Sequence, residues 1–212
     1  MHVAILTFEG FNEIDSLVAL NVLNRIKTAG WRVSLACPSP TVTSMNGMKI
    51  HAQCSLAEAC LADAVLVGSG TRTREVVTDS ALLAQLQLDP ARQLIGAQCS
   101  GALVLARLGH LGSMPACTDL GTKPWVEQAG VEVLNQPFYA RGNVATAGGC
   151  LASQYLAAWV IARLEGIEAV KRALHYVAPV GEKDEYVARA LRNITPYLPA
   201  TAQPVAAAGS VA

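Results

Sequence analysis

A chain of 212 residues, 52% of them apolar, can build one domain of ordinary to large size around a well-buried core. Lys+Arg and Asp+Glu both number 16, and a zero formal charge argues against nucleic-acid or anionic-membrane partners, which call for a basic surplus. No apolar run reaches the roughly 18 residues of a membrane span, and Met1-His2-Val3-Ala4 lacks the basic region and cleavage site of a signal peptide, so a cytoplasmic location is expected.

In chain order, Val3 to Phe8 is a short apolar run that fits a strand buried on both faces. Ser16 to Lys27 carries apolar residues at helical spacing, with Gly30 as a stop, and Trp31 to Ala36 is a second strand. The opening is therefore a βαβ unit with parallel strands. Val42 to Ile50 holds Asn46-Gly47, a hairpin signal. Ala64 to Val67 reads as a buried strand ending in Gly68-Ser69-Gly70-Thr71, and Ser80 to Leu88 as a helix.

Leu94 to Gln98 is a strand that runs straight into Cys99, with a helix over Ser100 to Leu108. Ala116 to Thr118 reads as a short strand and Pro124 to Ala129 as a short helix. Phe138-Tyr139-Ala140 and Val144-Ala145-Thr146 flank Arg141-Gly142-Asn143 as a second hairpin. Ala152 to Leu164 is a strongly apolar helix, followed by helical stretches at Ile167 to Tyr176 and Lys183 to Asn193. This alternation predicts an α/β fold, a mostly parallel sheet with helices on both faces, as one domain over 1–195. From Pro196 to residue 212 the chain has almost no large apolar residue and is expected to be disordered.

Cys37, Cys54, Cys60, Cys99, Cys117 and Cys150 fall in no metal-ligand spacing, and neither a metal nor a cofactor is expected. Cys99 differs from the rest in standing between a buried strand and a helix. A sharp turn there lifts the side chain out of the sheet as a nucleophile elbow, and the helix end favours thiolate. Small Ala97 and Gly101 let the turn close. Ligands of open parallel sheets bind outside the strand carboxyl ends, which brings Gly70 to the same edge. There the N–H groups of Gly70 and Ser100 form a candidate oxyanion site. Asp15 sits on that edge too, either as a helix cap or as a carboxyl facing the thiol. His2, His51, His110 and His175 are not placed to make a Cys–His pair. Cys150 directly follows Gly148-Gly149; helix packing is the reading its position favours, a second thiol at the site the other.

The order Asp15, Gly68-Ser69-Gly70-Thr71, the Cys99 elbow, Ala116-Cys117-Thr118-Asp119 and Thr146-Ala147-Gly148-Gly149 resembles the ThiJ/PfpI superfamily. The stretch Gln98-Cys99-Ser100-Gly101-Ala102-Leu103-Val104-Leu105-Ala106 is its most specific part. Within the superfamily the chain is similar to isocyanide hydratases and to the ligand-domain half of AraC-type regulators. The resemblance implies a flavodoxin-like sheet of the class I glutamine-amidotransferase type and a homodimer. It also implies a catalytic set of Cys99, Asp15 and Ser100, with Gly70 and Ser100 as backbone donors. Thr118, Asp119, Gly148 and Gly149 would line the site.

The family's Thr-His step is Thr118-Asp119 here, its Pro-Gly-Gly turn is Gly68-Ser69-Gly70, and its Gly-Pro after the acid is Val18-Ala19. The missing imidazole disfavours peptidase, amidase and glyoxalase chemistry. The expected function is a cysteine-dependent hydratase or hydrolase acting on a small electrophile, with an isocyanide as one candidate giving an N-substituted formamide. The alternatives are a non-catalytic thiol redox sensor or stress protein, and a ligand-binding domain without catalytic power.

Overall fold

The computed structural model describes residues 1–200. Its strands are β1 (His2–Leu6), β2 (Arg32–Ala36), β3 (Thr41–Thr43), β4 (Lys49–His51), β5 (Ala64–Val67), β6 (Leu94–Gln98), β7 (Phe138–Arg141) and β8 (Val144–Ala147). Six of them form one sheet in the order β2-β1-β5-β6-β8-β7, while β3 and β4 pair antiparallel beside it. Every neighbour in the main sheet is parallel except β7 against β8. β5 and β6 are buried along their whole length, which is why they read as continuous apolar runs rather than alternating ones.

The helices are α1 (Glu13–Leu23), α2 (Leu56–Cys60), α3 (Thr73–Val76), α4 (Ser80–Leu83), α5 (Gly101–Arg107), α6 (Lys123–Gln128), α7 (Ser153–Glu165), α8 (Ile167–Val177) and α9 (Lys183–Ile194). They cover both sheet faces. Val3, Ile5 and Leu66 point into one core with α1, α7, α8 and α9, and the alternate residues Ala4, Leu6, Val65 and Val67 point into the other with α2 and α5. Ser153 to Ala162 of α7 are all buried, as expected of a helix apolar all round. No helix among the described residues is long and apolar enough to cross a membrane.

The sheet reverses direction of growth at β1: β2 lies on one side, β5 and β6 on the other. The chain leaving β1, β5 and β6 therefore converges on one edge, the crevice where ligands of such sheets bind. Gly101 makes this convergence possible. A Cβ there would stand 2.5 Å from the Val67 carbonyl oxygen, so only glycine lets α5 start this close to β5.

The chain departs from the sequence reading in five places. Helix α1 begins at Glu13, because Asn12 caps it by accepting the Ile14 N–H; Asp15 lies inside the first turn and is not the cap. The helix expected over Ser80 to Leu88 stops at Leu83. Ala116 to Thr118 makes no strand, only a single bridge from Ala116 to Val133. The short helices α2 and α3 were not anticipated, although Ser55 and Glu58 form a capping box at the start of α2. Packing runs past 195: Tyr197 stacks edge-on against Phe138 and Tyr139, and Leu198 is buried. The rest of the expected tail, 201–212, lies outside the described residues.

Candidate active site

Cys99 is the only non-glycine residue with a positive φ among those described, at 45°. Left-handed backbone costs an L-residue on the order of 1–2 kcal/mol. Its N–H donates to the Ala147 carbonyl at 2.8 Å, and the Thr118 hydroxyl donates to its carbonyl at 2.8 Å. The elbow is thus held from β8 on one side and from the 116–118 segment on the other. A consequence is measurable: Cys99→Gly should unfold in urea with about 1 kcal/mol more stability than Cys99→Ala, because only glycine is at ease at this φ. Equal stabilities would show that the turn is not strained.

The sulfur does not stand free. Cys99 is 3% exposed, and its Sγ, the Cys150 Sγ and a carboxylate oxygen of Asp15 all lie within 4.8 Å of one another. Gln98 Nε2 donates to the same sulfur at 3.5 Å and to the Gly149 carbonyl at 2.9 Å. Asp15 is buried at 2% exposure; the Ser69 hydroxyl donates to its Oδ2, while its Oδ1 has no hydrogen-bond partner. Burial raises the Asp15 pKa above its ordinary value, against the smaller lowering effects of the Ser69 hydroxyl and the Cys99 and Cys150 thiols.

The Cys99 thiol moves in the direction opposite to the one its position at a helix start implied. Burial pushes its pKa well up, and the neighbouring Asp15, Cys150 and Asp119 add to the rise. Helix α5 is only seven residues long, and its end does not overcome the loss of water around the sulfur. At rest the sulfur keeps its proton.

Ser100 and Gly70 are brought together, but not as a pair of free donors. The Gly70 N–H donates to Ser100 Oγ at 3.2 Å, and the same hydroxyl shares a 2.7 Å hydrogen bond with Thr73 Oγ1. The expected oxyanion donor at Gly70 is therefore already engaged. Among the described residues no acceptor meets the Ser100 N–H, which leaves it as the donor nearest the nucleophile in sequence. Ser100 Oγ serves to hold the Gly70 loop.

Thr118, Asp119, Gly148 and Gly149 line a groove of about 770 Å³ that Cys99 and Asp15 do not line. Asp119 spends both oxygens on Thr122, one on its N–H at 3.0 Å and one on its hydroxyl at 2.5 Å. It acts on the thiol through its charge alone. Gly148 packs so tightly against the Thr118 backbone that a Cβ would collide with the carbonyl oxygen. Among the histidines, His2 bonds Ser34 at the far end of β1, and none of the four joins the Asp15–Cys99–Cys150 cluster.

Sequence reasoning missed three contributors, Asn12, Ser69 and Gln98, and gave Cys150 at the site as the less favoured of two readings. Cys150 is a member of the cluster rather than a packing residue, and it is half-exposed. Asn12 donates through Nδ2 to its sulfur at 3.2 Å. Ser69 and Gln98 hold the acid and the nucleophile. Only Cys150, directly after two glycines, carried a visible hint. The carboxylate oxygen and the two sulfurs are close enough together that the three could hold one metal ion.

The profile of the DJ-1/PfpI family matches residues 1–163. No curated protein matches the sequence. Among solved structures, a ThiJ/PfpI family protein from Pseudomonas syringae superposes with a TM-score of 0.76 at 17% identity, covering 91% of this chain and 87% of its own. Schizosaccharomyces pombe DJ-1 gives 0.72 at 15% identity, covering 84% and 100%. Oxidized Toxoplasma gondii DJ-1 gives 0.70 at 20% identity, covering 83% and 97%. These likenesses establish the flavodoxin-like fold.

Proposed function

The chain belongs to the DJ-1/PfpI family, and from that premise we propose that it is a cysteine-dependent enzyme acting on a small, uncharged electrophile, with an isocyanide as the best-fitting substrate class. The observation that carries the reading is the unpartnered Oδ1 of buried Asp15 beside the buried Cys99 sulfur. A desolvated carboxylate is a stronger base than one in water. It can take the thiol proton as the sulfur attacks, so no standing thiolate and no imidazole are required.

For an isocyanide the steps balance with water alone. Cys99 Sγ bonds to the terminal carbon while Asp15 receives the thiol proton. Asp15 then returns that proton to the same carbon, giving a thioformimidate. Water adds to the carbon, one of its protons going to nitrogen. The C–S bond breaks, the remaining hydroxyl proton returns to sulfur, and an N-substituted formamide leaves. Anionic substrates are disfavoured by Asp15 and Asp119, and large ones by the 3% exposure of Cys99.

Incubation with a simple alkyl isocyanide should release the corresponding formamide, detected by mass spectrometry. Cys99→Ala should reduce this to background. Formamide release that survives Cys99→Ala, or isocyanide binding with no release by the wild type, would sink the enzymatic reading.

A further inference from the structure

Cys150 has no part in the reaction above, yet it is the most accessible sulfur of the cluster. It begins a one-turn 3-10 helix at Cys150–Ala152, right after Gly149 at φ 86°. It is half-exposed where Cys99 is buried. The Asn12 amide donates to its sulfur at 3.2 Å, which opposes the rise in thiol pKa that partial burial and the Asp15 charge cause but does not cancel it. Beneath it, within 4.8 Å, lie the Cys99 sulfur and the Asp15 carboxylate. The other thiols are differently placed. Cys37 and Cys117 are buried, with pKa values pushed up to about 11 and about 12, and Cys60 is tied to the Gln85 carbonyl.

We propose that Cys99 and Cys150 form a redox couple, in which a hydroperoxide converts the two thiols to a disulfide that closes the site and a thiol reductant reopens it. The Cys150 sulfur, on the less buried of the two cysteines, attacks a peroxide oxygen. The O–O bond breaks, the alcohol leaves with the thiol proton, and Cys150 becomes a sulfenic acid. Cys99 then attacks the Cys150 sulfur, its proton passing to Asp15. The S–O bond breaks, and the departing hydroxide takes that proton and leaves as water. Two thiols have lost two electrons and two protons; the hydroperoxide has become alcohol and water. To form the bond, the two sulfurs must close from within 4.8 Å to the roughly 2.0 Å of a disulfide. A second thiol this close also diverts the sulfenic acid from further, irreversible oxidation.

The test counts thiols and maps peptides, so its outcome is independent of whether formamide is ever formed. Protein treated with tert-butyl hydroperoxide is alkylated under denaturing, non-reducing conditions. Of the six thiols in the chain, two should be lost, a Cys99–Cys150 linked peptide should appear, and dithiothreitol should restore both. In Cys99→Ser, a dimedone adduct should sit on Cys150. In Cys150→Ser and Cys150→Ala the link should be absent, while Cys54→Ser should keep it. Oxygen atoms on Cys99 with Cys150 still free in the wild type, or a link between any other pair, overturns the proposal. Because the wild-type peptide map alone decides this, poor folding of a variant does not shield it.

Discussion

Asp15→Asn is expected to lower isocyanide turnover on the order of 10²–10⁴-fold, the usual worth of a positioned acid–base group, while raising the melting temperature of the protein above pH 5. The two effects share one cause. The carboxyl is buried, and burial raises its pKa in the folded state, so the folded protein binds a proton more tightly than the unfolded chain does. Stability that depends on that proton is fully present below the unfolded aspartate value of about 3.9. It falls as pH rises toward the folded value, because the unfolded chain ionises first. Asparagine does not ionise, so the variant's curve lacks this decline and its advantage grows from about pH 4 upward before levelling off. Melting curves for the two proteins across pH 3–8 would show it. Parallel curves would mean that Asp15 titrates no differently in the fold, and the base assigned to the thiol would be lost with it.

Gly101→Ala should cost about 1–3 kcal/mol in urea unfolding, the range of overpacking in a dense interior, and should lower turnover about 10²-fold through displacement of the sulfur. The added Cβ would stand 2.5 Å from the Val67 carbonyl oxygen and 2.9 Å from that of Gly68. Both are backbone atoms at the end of a central strand and cannot turn aside. Relief comes only from moving α5 away from β5, and Cys99 is the residue two positions before that helix residue. An unchanged stability and turnover would mean that the strand and helix have slack at the point where the nucleophile is held.

Local order was readable where one kind of residue dominates a short run. Ala64 to Val67 and Leu94 to Gln98 are buried on both faces, and their strands begin and end where the sequence pattern does. Cys99 stood out because a buried strand met a helix at a cysteine. What the sequence does not carry is who meets whom across long separations. Cys150 reaches Asp15 and Cys99 only because β8 lies beside β6 and α1 packs on α7, and no spacing rule encodes either contact. The use of the Gly70 N–H by Ser100 depends on a side-chain rotamer. Ala116 to Thr118 looked like a strand because it is small and apolar, but its partners there are side chains and one bridge rather than a ladder.

The hydrogen bond from the Cys99 amide to the Ala147 carbonyl has a bearing on the protein's birth. A chain emerging from the ribosome delivers Cys99 well before β8 exists, and contacts so far apart along the polymer close late. Until they do, the future nucleophile lacks the wall that β8 and the turn carrying Cys150 provide. Its rate of capture by an alkylating reagent during synthesis would then clock the docking of the last parallel strand.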